Sequence, residues 1–270
     1  KALSPYETAK IDERLSVNAG DAQRLLADAA DLLADATHCA AFSCALADAG
    51  DVIQGVQLIP AGGGRAMLVM LTAGGRIKSS ICRLSCPADD GFMAAFYDVM
   101  HSTFIGTRLS DVSIATVQST AVTLGSRIFD MLPVLSSLCA LCAETRQDSL
   151  LFAGETNLLS HEELGNEVYK LLTFLTNRPR FLTLAKQFAD APARSALFIG
   201  EENPYFELKN TATMLCSLHY NSQQRAVLGV IGSTRMDYAT IVPRAQYIMN
   251  KTTDLPVSYT HLTLPTNSLV

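Results

Sequence analysis

Apolar residues recur at helical spacing between Asp21 and Thr37, where Ala22, Leu25, Leu26, Ala29, Leu32, Leu33 and Ala36 fall on one stripe. Asp21 stands where a carboxylate can accept from the unsatisfied N–H groups of a first turn, so the pattern predicts an amphipathic helix. The texture then changes to four short runs of strand character, Ala40 to Leu46, Val52 to Ile59, Ala66 to Leu71 and Arg76 to Leu84. Gly50-Asp51, Gly62-Gly63-Gly64 and Gly74-Gly75 punctuate them and supply the positive-φ positions of tight reversals, which predicts an antiparallel meander. Phe92, Phe96, Val99, Met100 and Phe104 mark a second amphipathic helix, with Gly106 placed to end it.

After Val117 the pattern turns helical and greasy. Val122, Ile128, Met131, Leu132, Leu135, Leu138 and Leu141 form a nearly continuous stripe between Ser119 and Glu144, with Pro133 expected to start or kink a helix inside it. Ser160 and Glu163 have capping-box spacing ahead of Leu164, Val168, Leu171, Leu172 and Leu175, and a shorter helical pattern runs from Phe181 to Phe188. Strand character returns at Leu197 to Ile199, Ala212 to His219 and Val227 to Ile231, before a last helix from Asp237 to about Asn250. The economical fold is α+β: the closing strands rejoin the opening meander in one sheet, interrupted by a helix-rich insert. The expected division is 1–118 and 193–252 for the sheet domain and 119–192 for the insert. Residues 253–270 fit neither pattern and read as a tail of non-native character; Lys1 in place of Met implies an upstream segment.

Composition narrows the function classes. At 270 residues with 49% hydrophobic side chains the chain can bury a large core, so disorder is not expected. Lys and Arg total 21 against 26 Asp and Glu, a net charge of −5 that repels a phosphate backbone on average. The densest basic stretch, Arg178 to Arg180 with Lys170 and Lys186, reads as a solvated helix rim. Seven cysteines without a secretory leader point to a reducing, cytoplasmic setting. The apolar run from Met131 to Ala143 is shorter than the roughly 20 residues of a membrane span, so no transmembrane helix is expected.

Candidate chemistry is sparse. Cys139-x-x-Cys142 lies in the apolar stripe, where burial makes thiols inert, and the five histidines show no paired-ligand spacing. The glycine triplet is followed by neither Gly-Lys-Ser/Thr nor a helix, so it is not a nucleotide phosphate loop. With no activated serine and no catalytic carboxylate pair, the reading is of a non-enzyme that needs no metal and no cofactor.

The distinctive residues lie near the C-terminus: Phe198-Ile-Gly-Glu-Glu-Asn203, a strand ending at His219-Tyr220, and Gly229-Val-Ile-Gly-Ser-Thr-Arg-Met-Asp-Tyr238. They resemble the closing signature of the HrcA family of heat-shock transcription repressors, whose strand-to-helix turn corresponds here to Gly232, Thr234, Arg235, Met236, Asp237 and Tyr238. Ser233 departs from the family, which has Pro there. Leu32-Leu33-Ala-Asp-Ala-Thr37 and Gly154-Glu-Thr-Asn-Leu-Leu159 resemble two further landmarks, and the likeness runs from about Leu3 to Ile248.

The resemblance implies a GAF-like sheet domain carrying an inserted dimerising domain, with the family's winged helix-turn-helix expected before Lys1. It further implies a repressor of class I heat-shock chaperone genes that binds an inverted-repeat operator through that missing N-terminal domain and is maintained by the chaperonin GroEL. An inverted repeat calls for a two-fold homodimer. The apolar stripe offers its candidate surface: Ile128, Met131, Leu135, Leu138 and Leu141, with Leu171 and Leu175. An alternative is a GAF-like small-molecule sensor with a polar-lined cavity near Arg235, Asp237 and Tyr238. The plainer reading of that trio is a helix start, with Asp237 at the N-terminus and Arg235 paired to a carboxylate.

Overall fold

Ser4 opens the first helix with a reciprocal cap: its Oγ accepts from Glu7 N at 3.3 Å, while the Glu7 carboxylate accepts from Ser4 N at 2.8 Å. A computed structural model describes residues 3–19, 21–219 and 225–255, and nothing is said of the side chains of 121–123 and 126. In chain order the first half comprises α1 (Pro5–Val17), α2 (Ala22–Thr37), β1 (Ala40–Leu46), β2 (Ile53–Gly62), β3 (Arg65–Thr72), β4 (Ile77–Arg83), α3 (Asp90–Val99), α4 (Ile114–Leu124) and α5 (Ile128–Thr145). The second half comprises β5 (Ser149–Ala153), α6 (Glu167–Thr176), α7 (Arg178–Ala189), β6 (Ser195–Ile199), β7 (Thr211–His219), β8 (Arg225–Ser233) and α8 (Tyr238–Asp254). The chain forms two compact units, one of Lys1–Leu46 with Asp148–Val270, the other of Ala47–Gln147.

The larger unit is built on an antiparallel sheet in the order β5-β1-β8-β7-β6. Ala41, Met214, Cys216, Leu228 and Val230 face a core shared with Leu25, Leu33 and Ile248 from α2 and α8. Phe42, Cys44, Leu215, Val227 and Ile231 face a second core with Leu171, Phe174 and Phe181 from α6 and α7. Because helices cover both faces, β8 is buried at every position from Ala226 to Ser233, and its sequence runs apolar without alternation. Gly229 sits under the Phe42 ring: a Cβ there would lie 2.1 Å from Cε1, so glycine is the side chain this crossing admits. Phe181 caps the aromatic cluster, edge-on to Phe42 at 4.7 Å and to Phe152 at 5.1 Å.

The smaller unit holds a three-stranded antiparallel sheet, β2-β3-β4. Its inner residues, among them Val56, Leu58, Ala66, Leu68, Met70 and Cys82, pack with Phe92, Phe96 and Met131 to Leu141 of the helices. Buried Asp51 fastens the start of the sheet by accepting from Gly74 N at 2.9 Å. Here one face alone is covered, and β3 alternates between buried and more exposed positions.

The α+β class holds, and distant stretches do close one sheet, since Phe42 pairs with Gly229. The organisation differs from the expected one in where the insert lies. β1 belongs to the five-stranded sheet and does not pair with β2; Gly50-Asp51 is therefore no hairpin turn, and the strands expected to continue the meander make a sheet of their own. The helical block expected over 119–192 is divided: α4 and α5 belong to the smaller unit, α6 and α7 to the larger. Register is the reason, because local periodicity says that a strand forms without saying which distant strand it joins.

Three local expectations change as well. Ser160 and Glu163 form no capping box; Ser160 Oγ donates to Asn157 O at 2.6 Å, and α6 starts only at Glu167. α8 carries on through Thr253 and Asp254, and Leu255 packs on the core, so the expected tail begins too early; residues 256–270 and Tyr220 lie outside the described residues. Finally, α5 runs unbroken through Pro133 for 18 residues at a mean hydropathy of 1.5, a length and composition sufficient to cross a membrane. Its buried face, packed on β3 and β4, accounts for that apolar character as a core helix.

Candidate functional site

The family-like segments, distant in sequence, converge at the start of β1 in the larger unit. Thr37 ends α2 with its hydroxyl donating to Leu33 O at 2.6 Å, and His38 turns the chain through the left-handed region at φ 53°. Cys39 follows, fully buried. Asn157 Nδ2 donates to Cys39 O at 3.1 Å, and Gly154, at φ 65°, leaves a would-be Cβ only 2.7 Å from the Cβ of Ala34. Gly232 approaches from β8, where a Cβ would lie 2.7 Å from Cys39 Sγ and 3.2 Å from Met236 Sδ. Backbone can pass this closely only where no side chain intervenes, so both glycines are steric requirements.

The signature turn itself is held by local bonds. Ser233 Oγ accepts from Arg235 N at 3.1 Å, taking up a stabilising role at the position where the family's proline would stiffen the chain. Tyr238 Oη donates to Thr234 O at 2.8 Å, Met236 is buried, and the Asp237 carboxylate accepts from Thr240 N at 3.3 Å to cap α8. The Thr240 hydroxyl first, with the Thr240 N–H adding to it, holds the Asp237 carboxyl below its usual range. Arg235 is exposed and forms no ion pair among the described residues, so its expected carboxylate partner is not there. A second brace comes from Asn203, 4% exposed, whose Nδ2 donates to Gly200 O at 3.1 Å and Thr211 O at 2.9 Å. Thr211 pairs with Ser233, which ties the Phe198-to-Asn203 segment to the turn. The arrangement fixes a backbone crossing; the polar groups of Asp237 and Tyr238 are spent within it.

The expected dimer surface does not survive as a surface. Met131, Leu135, Leu138 and Leu141 are buried inside the smaller unit with Ile128 packed against them, while Leu171 and Leu175 are buried in the other unit's core. What α5 presents outward is a different stripe, Phe129, Leu132, Ser136, Ala140 and Ala143, exposed and uncharged, with Phe129 75% and Leu132 45% accessible. Its spacing of three and four residues is that of a helix-pairing seam.

Burial pushes the Cys39 thiol up to about 11 despite the opposing Thr37 hydrogen bond, and pushes Cys44 and Cys142 up to about 12. Such thiols are protonated and unreactive at neutral pH. Among the described residues no three His, Cys, Asp or Glu side chains are grouped to hold a metal. The basic stretch is largely engaged: Arg180 pairs with Glu207 at 2.6 Å, Lys186 with Asp148 at 2.7 Å, and Arg178 donates to Leu150 O. Cys39 as the point of convergence was invisible in sequence, because no motif marks it and only the β1–β8 register brings Gly232 over it.

Comparison with known proteins bears on these segments. The family model described as the HrcA protein C terminal domain matches residues 23–242. A heat-inducible transcription repressor HrcA from Acetivibrio thermocellus is 19% identical over 251 residues, 92% of this chain and 72% of the relative. The proteins of the same name from Methylobacillus flagellatus and Desulforudis audaxviator are 25% and 26% identical, over 89% and 74% of this chain and 70% and 58% of their own lengths. A crystal structure of a hypothetical protein at 2.2 Å resolution superposes with a TM-score of 0.64 at 19% identity, covering 94% of this chain and 77% of that one, a likeness of fold.

Proposed function

Because the chain belongs to the family of the HrcA protein C terminal domain, we propose that it is the regulatory and dimerising portion of a repressor of class I heat-shock chaperone genes. The family match across 23–242, with its landmark residues gathered around Cys39, is the observation that carries this reading. The curated relatives are heat-inducible transcription repressors, a regulatory and not an enzymatic role, exercised where the DNA is, in the cytoplasm.

In the intact protein an N-terminal domain reads an inverted-repeat operator, and this chain supplies the two-fold pairing that lets both half-sites be held at once. Linking two weak readers in that way gains about 10² to 10⁴ in avidity without a new base contact. The outward stripe of α5 from Phe129 to Ala143 supports pairing with a second copy, since an uncharged helix face with an exposed phenylalanine gains by burial. Chaperonin GroEL enters as the partner that returns heat-loosened protein to the folded dimer; client-loaded chaperonin then leaves the operator free.

Light scattering on this chain at micromolar concentration, with operator binding by the intact protein, tests the proposal. A dimer is expected, converted to monomer by Phe129→Asp with Leu132→Asp, with operator affinity falling by at least about tenfold. A strict monomer that nonetheless accompanies full operator affinity in the intact protein would defeat it.

A further inference from the structure

The outer end of the three-stranded sheet carries two arginines that the repressor reading does not use. Arg65 and Arg83 are directly opposed Cα partners on β3 and β4, so both guanidinium stems leave the same face of the sheet. Both are exposed, and neither takes part in an ion pair among the described residues. Like charges facing each other across a ladder repel, and in a chain with more acidic than basic residues such an unrelieved pair stands out.

The backbone beside them is bare. Gly62 pairs with Arg65, leaving Gly63 and Gly64 as a two-residue turn with φ of 58° and 66°, the geometry of a type I′ hairpin. A Cβ at Gly62 or Gly63 would meet nothing within 4 Å. Gly64 O accepts from Leu84 N at 2.8 Å, which carries the third strand alongside the turn. Gly63, Gly64, Arg65, Arg83 and Leu84 together line an open notch of about 440 Å³.

We propose that this notch binds a phosphoryl group, gripped between the Arg65 and Arg83 guanidinium forks. Two planar forks on one face match a tetrahedral oxyanion, and a bound dianion converts their repulsion into attraction. The glycine turn contributes open approach and no helix dipole, which separates this notch from a nucleotide phosphate loop. The next row on the same face, Ile59, Met67 and Ile81, is apolar, with Ile81 74% exposed, and would lie under whatever the phosphoryl group is attached to.

The test is calorimetric titration of the full chain with inorganic pyrophosphate, and separately with a short DNA duplex, at matched ionic strength. Saturable pyrophosphate binding, weakened at least about tenfold by Arg65→Gln or Arg83→Gln, is expected. Saturable binding of the duplex alone, with the same loss in the variants, also supports the notch and assigns the phosphoryl group to a nucleic-acid backbone. No saturable binding of either, or binding that survives both substitutions, overturns it. Since Arg83→Gln could perturb β4, the Nε resonances of the unsubstituted protein are followed in parallel. Whichever of the two ligands binds, its saturation leaving every arginine Nε shift unmoved is likewise fatal.

Discussion

The two sheets of this chain solve the same problem with opposite margins. The five-stranded sheet of the larger unit is covered on both faces, and β8 has no position to spare: Gly229 lies beneath Phe42, and Gly232 against Cys39 and Met236. The three-stranded sheet of the smaller unit packs one face on its helices and leaves the other, with Ile59, Met67 and Ile81, accessible. The difference teaches where sequence is constrained by packing and where it is free for binding. In the first sheet even glycine is there for steric reasons, whereas in the second an apolar or charged outer residue has no intramolecular duty.

That contrast can be broken most directly by paired substitutions. Gly229→Val drives a branched side chain into Phe42 and is expected to cost about 3 kcal/mol or more, read as a fall in the urea midpoint. Ile81→Ser on the open face should stay within about 0.5 kcal/mol. Equal losses would mean that the outer face is not free. A smaller effect of opposite sign comes from His38, the one described non-glycine residue at positive φ, where His38→Gly relieves left-handed strain. A gain of about 1 kcal/mol in the same unfolding measurement is expected, since the imidazole is exposed and the residue is held through its backbone, the N–H by Ala34 O and the carbonyl by His161, which glycine keeps.

The smallest effect concerns pH. The Glu7 carboxyl is held below its usual value, first by the Ser4 backbone N–H and then by its hydroxyl. A group whose folded pKa is depressed adds stability above its unfolded pKa and loses it as pH falls through the folded value. Glu7→Gln should therefore flatten the acid side of the stability curve, beginning near the ordinary glutamate value of about 4.3 and ending below it. An unchanged slope between the two proteins would show that the cap does not contribute.

Local pattern made much of this fold legible. Asp21 and the stripe behind it fix α2, β1 begins and ends where its apolar run does, and Asp237 caps α8 as its position implies. What could not be read was partnership. β5, with Leu150, Leu151 and Phe152 in a row, shows no alternation that sets it apart from the helical patterns on either side. The α5 stripe is plainly apolar in the sequence, yet periodicity does not say that β3 and β4 already satisfy it, nor that Phe129 and Leu132 on the other side are the exposed pair. The signature glycines were visible as a motif, while the reason for them, a crossing over Cys39, required the register.

That register also sets an order of assembly during synthesis. Every strand of the smaller unit pairs with a neighbour adjacent in sequence, so this unit has all it needs once Gln147 has left the ribosome. β1, made far earlier, waits between two empty places until Ala153 and then Ser233 arrive. Until Ala153 is made, Phe42 and Cys44 travel on a nascent strand without a sheet neighbour, and the other edge of that strand stays open until Ser233 follows, which makes the oldest strand of the larger sheet among the last to be closed in.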